Sequence, residues 1–340
     1  VATLKDVAKL AGVSTATASL SLNGKSVNEA TRSKVISCAK ELNYVPIKSG
    51  RTLSTGRSNI VQLLIINSVK CADCVKETSY YNHIIQGIVK VMQKYDYGLH
   101  FDVQMWESSA LPEYFKHKIK DKSTDGIIII PQFRYNYGFL DSLLQSGFPY
   151  VILNPCVFDE NINNITLDHN RGGALVAELF IQLQYKKVAL IGGPVEHFDT
   201  IERGRGFVSK LAEESIFVPE QARYYGDFTV KSGFKGMEKI LYTYRPEAVF
   251  CFNDYMAAGA IRCLHERGIR IPDEIAVVGY DNIEIATAVY PELTSIDYNI
   301  EKLGKQLAES LWKLISNEES QVHIVIRPRL VMRSSCKTER

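Results

Sequence analysis

Ser14, Thr15, Thr17 and Ser19 crowd one short stretch, Val13-Ser14-Thr15-Ala16-Thr17-Ala18-Ser19-Leu20, directly after Gly12. Their hydroxyls donate and accept hydrogen bonds, and Ser14 is placed to cap a helix by accepting from a backbone amide one turn on. Ahead of them Leu4, Val7, Ala8 and Ala11 recur at helical spacing, and Gly12 stops that helix. Two short helices around a glycine turn, the second opening on a hydroxyl, form a layout that sets one helix in a DNA major groove.

Other chemistry-bearing patterns are weaker. Cys71-x-x-Cys74 has the spacing of a redox or zinc site, but no second ligand pair lies nearby and no strand feeds it into a helix. It reads as a reduced loop pair. With Cys38, Cys156, Cys251, Cys263 and Cys336 the cysteines are odd in number and scattered, unlike a secreted disulfide framework. The chain has no P-loop, no G-x-S-x-G, no H-E-x-x-H and no Rossmann glycine fingerprint. Gly192-Gly193 runs into Pro194, a turn and not a phosphate cradle. Neither catalysis nor a metal or cofactor is expected.

The elements around these residues fall into two regimes. In the first, Ala18 and Leu22 point inward on the second helix, and Asn23-Gly24 marks a turn. Asn28 caps a third helix with Val35, Ile36, Ala39 and Leu42 on one face, ending before Pro46. Residues 47–58 are basic and poor in large apolar side chains, a linker too short to be a stable helix alone. Through Asn59 there are nine Lys and Arg against three Asp and Glu, in a chain whose formal net charge is only +2. A basic head on a mildly acidic body points to an anionic polymer as partner of the head.

In the second regime, continuous apolar runs alternate with amphipathic helices. The runs are Ile60 to Ile66, Leu99 to Val103, Asp125 to Pro131 and Tyr150 to Leu153, then a second series beginning near Asn164. That series includes Lys187 to Gly193, Ala222 to Tyr225, Ala248 to Cys251 and Ile275 to Tyr280. Buried strands separated by helices mean parallel sheets covered on both faces, here two doubly wound subdomains. The N-subdomain is expected at about 59–163 and 294–322, the C-subdomain at about 164–293 and 323–340. Ligands of such sheets sit beyond the carboxyl ends of the strands, which places a binding cleft between the halves. The mean hydropathy is −0.08 and no apolar run approaches ~18 residues, which argues against a membrane span. Lys5, Asp6 and Lys9 interrupt any secretory leader, so a cytoplasmic protein is expected.

The chain resembles the LacI/GalR family of bacterial transcription regulators along nearly its whole length. In the head the likeness is carried by Asp6-Val7-Ala8-Lys9-Leu10-Ala11-Gly12-Val13-Ser14, Ala16-Thr17-Ala18-Ser19, Leu22-Asn23, Leu42-Asn43-Tyr44-Val45-Pro46 and Arg51-Thr52-Leu53. In the body it rests on Asp168-His169-Asn170-Arg171-Gly172-Gly173, Ile191-Gly192-Gly193-Pro194, Arg203 with Gly206-Phe207, Asn253-Asp254, Val278-Gly279-Tyr280-Asp281-Asn282 and Pro291-Glu292-Leu293-Thr294-Ser295. Their joint order and spacing is specific where each alone is not. The resemblance implies a helix-turn-helix head (1–46), a hinge helix (47–58) and a periplasmic-binding-protein-like α/β body (59–340).

It further implies a homodimer on double-stranded operator DNA, associated with the nucleoid. Ser14, Thr17 and Asn23 would hold phosphates, Thr15, Ala16 and Leu20 would face base edges, and Thr3 and Ser19 complete the contact set. The family often has arginine where Leu20 stands, so Leu20 and Ala16 leave apolar contact, for example to a thymine methyl. Leu53 would wedge into a base step in the minor groove, and Gly50, where relatives have alanine, weakens that hinge helix by about 1 kcal/mol.

For the body the resemblance implies that Arg203, Asn253 and Asp281 grip a small-molecule effector, with Phe228 stacking on its ring and Tyr80, Tyr81 and Asp168 nearby. Charged planar groups plus an aromatic face suit a sugar. Three other readings stay open: a purine corepressor, a phosphoprotein co-regulator, and a sugar-binding receptor without a regulatory role.

Overall fold

The computed structural model describes residues 2–22, 27–44, 57–69, 79–133, 137–155 and 160–337. The head holds three helices, α1 (Leu4–Ala11), α2 (Thr15–Leu22) and α3 (Glu29–Glu41). Thr3 caps α1 in a reciprocal box with Asp6, and Gly12 ends it in the left-handed region at φ 67°. Val7, Ala8, Ala11, Ala18, Val35, Cys38 and Ala39 form the head core, with Leu4, Leu22 and Leu42 packed on it. Ile36, expected on the inner face of α3, is 38% exposed, and Cys38 occupies that face instead. One residue is 100° of helix, so Ile36 turns away from the stripe through Val35, Cys38 and Ala39.

The body contains two six-stranded sheets. In chain order its elements are β1 (Ile60–Asn67), α4 (Ser79–Met92), β2 (Gly98–Met105), α5 (Leu111–Asp121), β3 (Gly126–Pro131), α6 (Asp141–Ser146), β4 (Tyr150–Leu153), β5 (Asn164–Leu167), α7 (His169–Gln182), β6 (Val188–Gly192), α8 (Phe198–Glu213), β7 (Arg223–Tyr225), α9 (Val230–Thr243), β8 (Ala248–Cys251), α10 (Asp254–Glu266), β9 (Ala276–Tyr280), α11 (Ile285–Ala288), β10 (Thr294–Asp297), α12 (Ile300–Ser316), β11 (His323–Ile326) and β12 (Arg329–Val331). The first sheet runs β11-β5-β4-β3-β1-β2, all parallel. The second runs β12-β10-β9-β8-β6-β7, parallel except for β12 against β10. β1, β3, β4, β6, β8 and β9 are buried almost throughout, as strands covered on both faces must be.

The subdomain boundaries differ from those expected. β5, expected to open the second series, pairs with β4 in the first sheet (Ile152 with Asn164). β11 pairs with β5 (His323 with Asn164) and also belongs to the first sheet, whereas β10 pairs with β9 in the second. The chain therefore changes lobe after Leu167, after Asp297 and after Ile326. Apolar periodicity announces a strand but not which edge it joins; register decides that.

α7 and α8 cross at Gly173 and Gly206, where a Cβ would overlap the Arg203 and Asn170 carbonyls respectively. This close approach anchors the helix that carries Arg203. Among the described residues no helix is long and apolar enough to cross a membrane.

Candidate functional site

The head presents one face of α2. Ser14 Oγ accepts from the Thr17 amide at 3.0 Å and lies 2.8 Å from Thr17 Oγ1, so the expected cap is present. Ser21 donates to the Thr17 carbonyl at 2.8 Å and is buried with Ala18. Thr15, Ala16 and Leu20 are exposed and Ser19 half-buried, and at 100° per residue these four share one side of the helix. Leu20 is 41% exposed. Thr3 takes the α1 cap, with its amide donating to Asp6 Oδ2 at 2.8 Å. The Thr3 hydroxyl, which donates to the same oxygen at 2.7 Å, and then the amide hold the Asp6 carboxyl below its usual value. Asn23, Gly50 and Leu53 lie outside the described residues, as do Cys71 and Cys74.

In the body, Tyr80, Tyr81, Gln132, His197, Asp199, Arg203, Phe228, Asn253, Tyr255, Asp281 and Ile283 line a small cavity of about 60 Å³. Tyr80 and Tyr81 begin α4 and Gln132 follows β3, all from the first lobe. The other lining residues follow β6, β7, β8 and β9 of the second. The cavity thus sits at the carboxyl ends of both sheets, where a doubly wound fold leaves a crevice. The lobes meet at its lip. The Phe198 amide donates to the Gln132 carbonyl at 3.0 Å, and the Phe133 and His197 rings meet edge to face at 5.3 Å.

Arg203, in the second turn of α8, is the centre of the site and only 2% exposed. Its Nη2 donates to Asp199 Oδ2 at 3.0 Å and lies 3.3 Å from Asp281 Oδ1. Nη1 donates to the Phe252 carbonyl, and the guanidinium lies over the Tyr280 ring at 3.8 Å. Burial opposes the Arg203 charge, but Asp281 and Asp199 outweigh it and hold its pKa above the ordinary arginine value. Burial likewise opposes the charge of Asp199. His169, whose Nε2 lies 3.2 Å away, and Arg203 nonetheless hold that carboxyl well below the usual carboxylate range. Burial pushes Asp281 up to about 6 against the pull of Arg203, and pushes the His197 imidazole down to about 4.

The remaining side chains are held in place by the backbone. Asn253 caps α10, its Oδ1 accepting from the Met256 amide at 2.8 Å, while its Nδ2 donates to the Phe228 carbonyl at 2.9 Å. Phe228 has a φ of 66° and packs edge to face on His197 at 4.9 Å. Buried Asp254 accepts from the Ile283 amide at 2.8 Å and from Ser295 Oγ at 2.6 Å, fixing the loop that carries Asp281. Gln132 Nε2 donates to the Tyr81 hydroxyl, while its Oε1 is buried without a hydrogen-bond partner.

Residues 3–46 match the family described as bacterial regulatory proteins, lacI family, and residues 177–336 match a periplasmic binding protein-like domain. The HTH-type transcriptional repressor PurR of Histophilus somni (strain 129Pt) is 31% identical over 344 residues, 99% of each chain. The chain belongs to the LacI family of bacterial regulatory proteins. The probable HTH-type transcriptional repressor ExuR of Bacillus subtilis (strain 168) is 29% identical over 330 residues, 95% of each chain. Among solved structures, the lac repressor dimer bound to operator and the anti-inducer ONPF superposes with a TM-score of 0.82 at 26% identity over 99% of each chain. A transcriptional regulator CelR–cellobiose complex gives 0.71 at 28% identity, covering 98% of this chain and 100% of that one. This LacI-family protein is therefore a helix-turn-helix transcriptional regulator and not an enzyme.

Six of the seven effector residues expected from the sequence, Tyr80, Tyr81, Arg203, Phe228, Asn253 and Asp281, come together in the cleft. Asp168 does not: it caps α7, accepting from the Arg171 amide at 2.9 Å. An aspartate directly before a helix is an ordinary N-cap, and that role takes its side chain. Gln132, His197, Asp199, Tyr255 and Ile283 were not anticipated. Each stands in a loop or first helical turn beyond a strand end, and only the position of Asp199 four residues before Arg203, one helical turn, signalled a neighbour.

Proposed function

We propose that this protein binds operator DNA as a homodimer through the Thr15, Ala16, Ser19 and Leu20 face of α2, and that a carbohydrate in the cleft controls that binding. The observation that carries the effector reading is the build of the cleft. Arg203, Asp199 and Asp281 form a charged, planar hydrogen-bonding floor, and Tyr80, Tyr81, Phe228 and Tyr255 supply aromatic walls. Planar ionised groups pair with neighbouring hydroxyls, and an aromatic ring covers the apolar face of a pyranose. The related CelR structure is a complex with cellobiose.

The effector acts through differential affinity for two arrangements of the lobes. Both lobes contribute lining residues, so occupation favours one closure of the cleft over another, and the spacing of the two heads in the dimer follows. A thermal-shift screen of sugars against purines tests the reading: a sugar should raise the melting temperature and alter operator retention in a gel shift. A purine response with no sugar response overturns it.

A further inference from the structure

Asp199 changes the chemistry of the cleft. Arg203 is shared between two carboxylates, Asp199 at 3.0 Å and Asp281 at 3.3 Å. Its other nitrogens are also engaged, Nη1 through one of its two N–H groups by the Phe252 carbonyl and Nε by His169 Nδ1 at 3.4 Å. The guanidinium has no open fork to offer a ligand carboxylate, although bidentate pairing is what makes arginine a carboxylate reader. The Asp199 side chain, by contrast, is 17% exposed and lines the cavity, while that of Arg203 is 2% exposed. Gln132, a residue only 5% exposed, adds an unpartnered acceptor from the other lobe, its Oε1 without a donor. Among the described lining residues one guanidinium therefore faces two carboxylates, and negative charge is in excess. A ligand that brings hydroxyl or amino donors completes this set. A ligand carboxylate adds a third like charge in a poorly solvated space.

We propose that Asp199 sets the effector specificity by charge, accepting donors from a sugar that carries no negative charge and excluding the corresponding uronic acid. The proposal rests on the carbohydrate reading above. The test is calorimetric titration of the full chain with two matched trios: glucose, glucosamine and glucuronate, and galactose, galactosamine and galacturonate. In whichever trio binds, the acid should be at least tenfold weaker than the neutral sugar, and the amino sugar at least as tight as the neutral one. Asp199→Asn should narrow the gap between acid and neutral sugar at least tenfold, with a cooperative melt certifying that the variant is folded. Asp199→Ser replaces it if it is not, and the wild-type order decides if neither folds. A neutral sugar that binds no better than its acid, or a gap untouched in the folded variant, overturns the charge rule alone. No heat from any of the six compounds overturns the carbohydrate reading and the charge rule with it.

Discussion

Asp281 follows β9 with a φ of 103°, and Tyr298 donates to its Oδ1 at 2.9 Å. Its carboxyl, ordinarily near 3.8, is raised by burial to about 6 in the folded chain, with Arg203, Tyr298 and Asp199 as the groups facing it. The bound proton contributes stability that is complete below about pH 4 and is lost as the pH rises through 6. Above that, the ionised carboxyl costs up to about 3 kcal/mol, two pKa units at roughly 1.4 each. Asp281→Asn cannot ionise, so without effector it should match the wild type near pH 4 and melt higher at pH 8, while losing the response to effector. Melting curves across that range check this, and a difference that stays flat with pH contradicts it. Asn253 serves two partners at once, the α10 cap and the Phe228 carbonyl. Asn253→Ala should cost about 2 kcal/mol, a cap and a hydrogen bond together. It should also weaken effector binding, because Phe228 loses its tether; denaturant unfolding and a binding isotherm read the two effects separately.

The elements carry their own constraints. α7 and α8 approach so closely that Gly206 meets the Asn170 carbonyl, a backbone atom that cannot swing aside. Gly206→Ala should push the helices apart at a cost of roughly 1–3 kcal/mol, and should weaken effector binding because Arg203 rides on α8. Unfolding midpoints and the same isotherm measure both. In the head, α2 (TATASLSL) has no arginine, lysine, asparagine or glutamine to read a base by paired hydrogen bonds. Its exposed apolar residues are Ala16 and the larger Leu20. Leu20→Arg should therefore move the preferred base at the facing position toward guanine, and Leu20→Ala should weaken a cognate site by about tenfold. A selection from randomised duplexes followed by gel shift shows whether the preference moves.

At the scale of the whole molecule, two demands meet: the head must hold DNA and the body must change shape. The basic excess through Asn59 implies binding through phosphates, so operator affinity should fall roughly a thousandfold between 50 and 200 mM salt if a dimer makes about six such contacts. A flat salt titration refutes that picture. The lobes of the body are linked by three chain crossings and touch at the cleft through Phe198 and Gln132, Phe133 and His197, and His83 and Glu284, whose side chains lie 3.0 Å apart. An opening cleft would have to break these contacts.

The elements of both regimes were legible in the amino-acid sequence because burial imposes periodicity. Leu4, Val7, Ala8 and Ala11 had to share a helix face, and runs such as Ile127 to Ile130 had to be strands covered on both sides. The ordered motifs likewise placed Arg203, Asn253, Phe228 and Asp281 at strand ends and early helical turns, where side chains can converge. Pairing was not legible. Nothing local tells β5 and β11 to join the first sheet or β10 the second, because an apolar strand fits either edge until register and crossing geometry choose. The same holds for the chemistry of the cleft. Asp168 and Asp199 both stand in the first turn or cap of a helix, yet one spends its carboxylate on the Arg171 amide and the other turns it to the cavity beside Arg203. A side chain's partners come from segments distant in sequence, so periodicity can announce the element while only packing assigns the role.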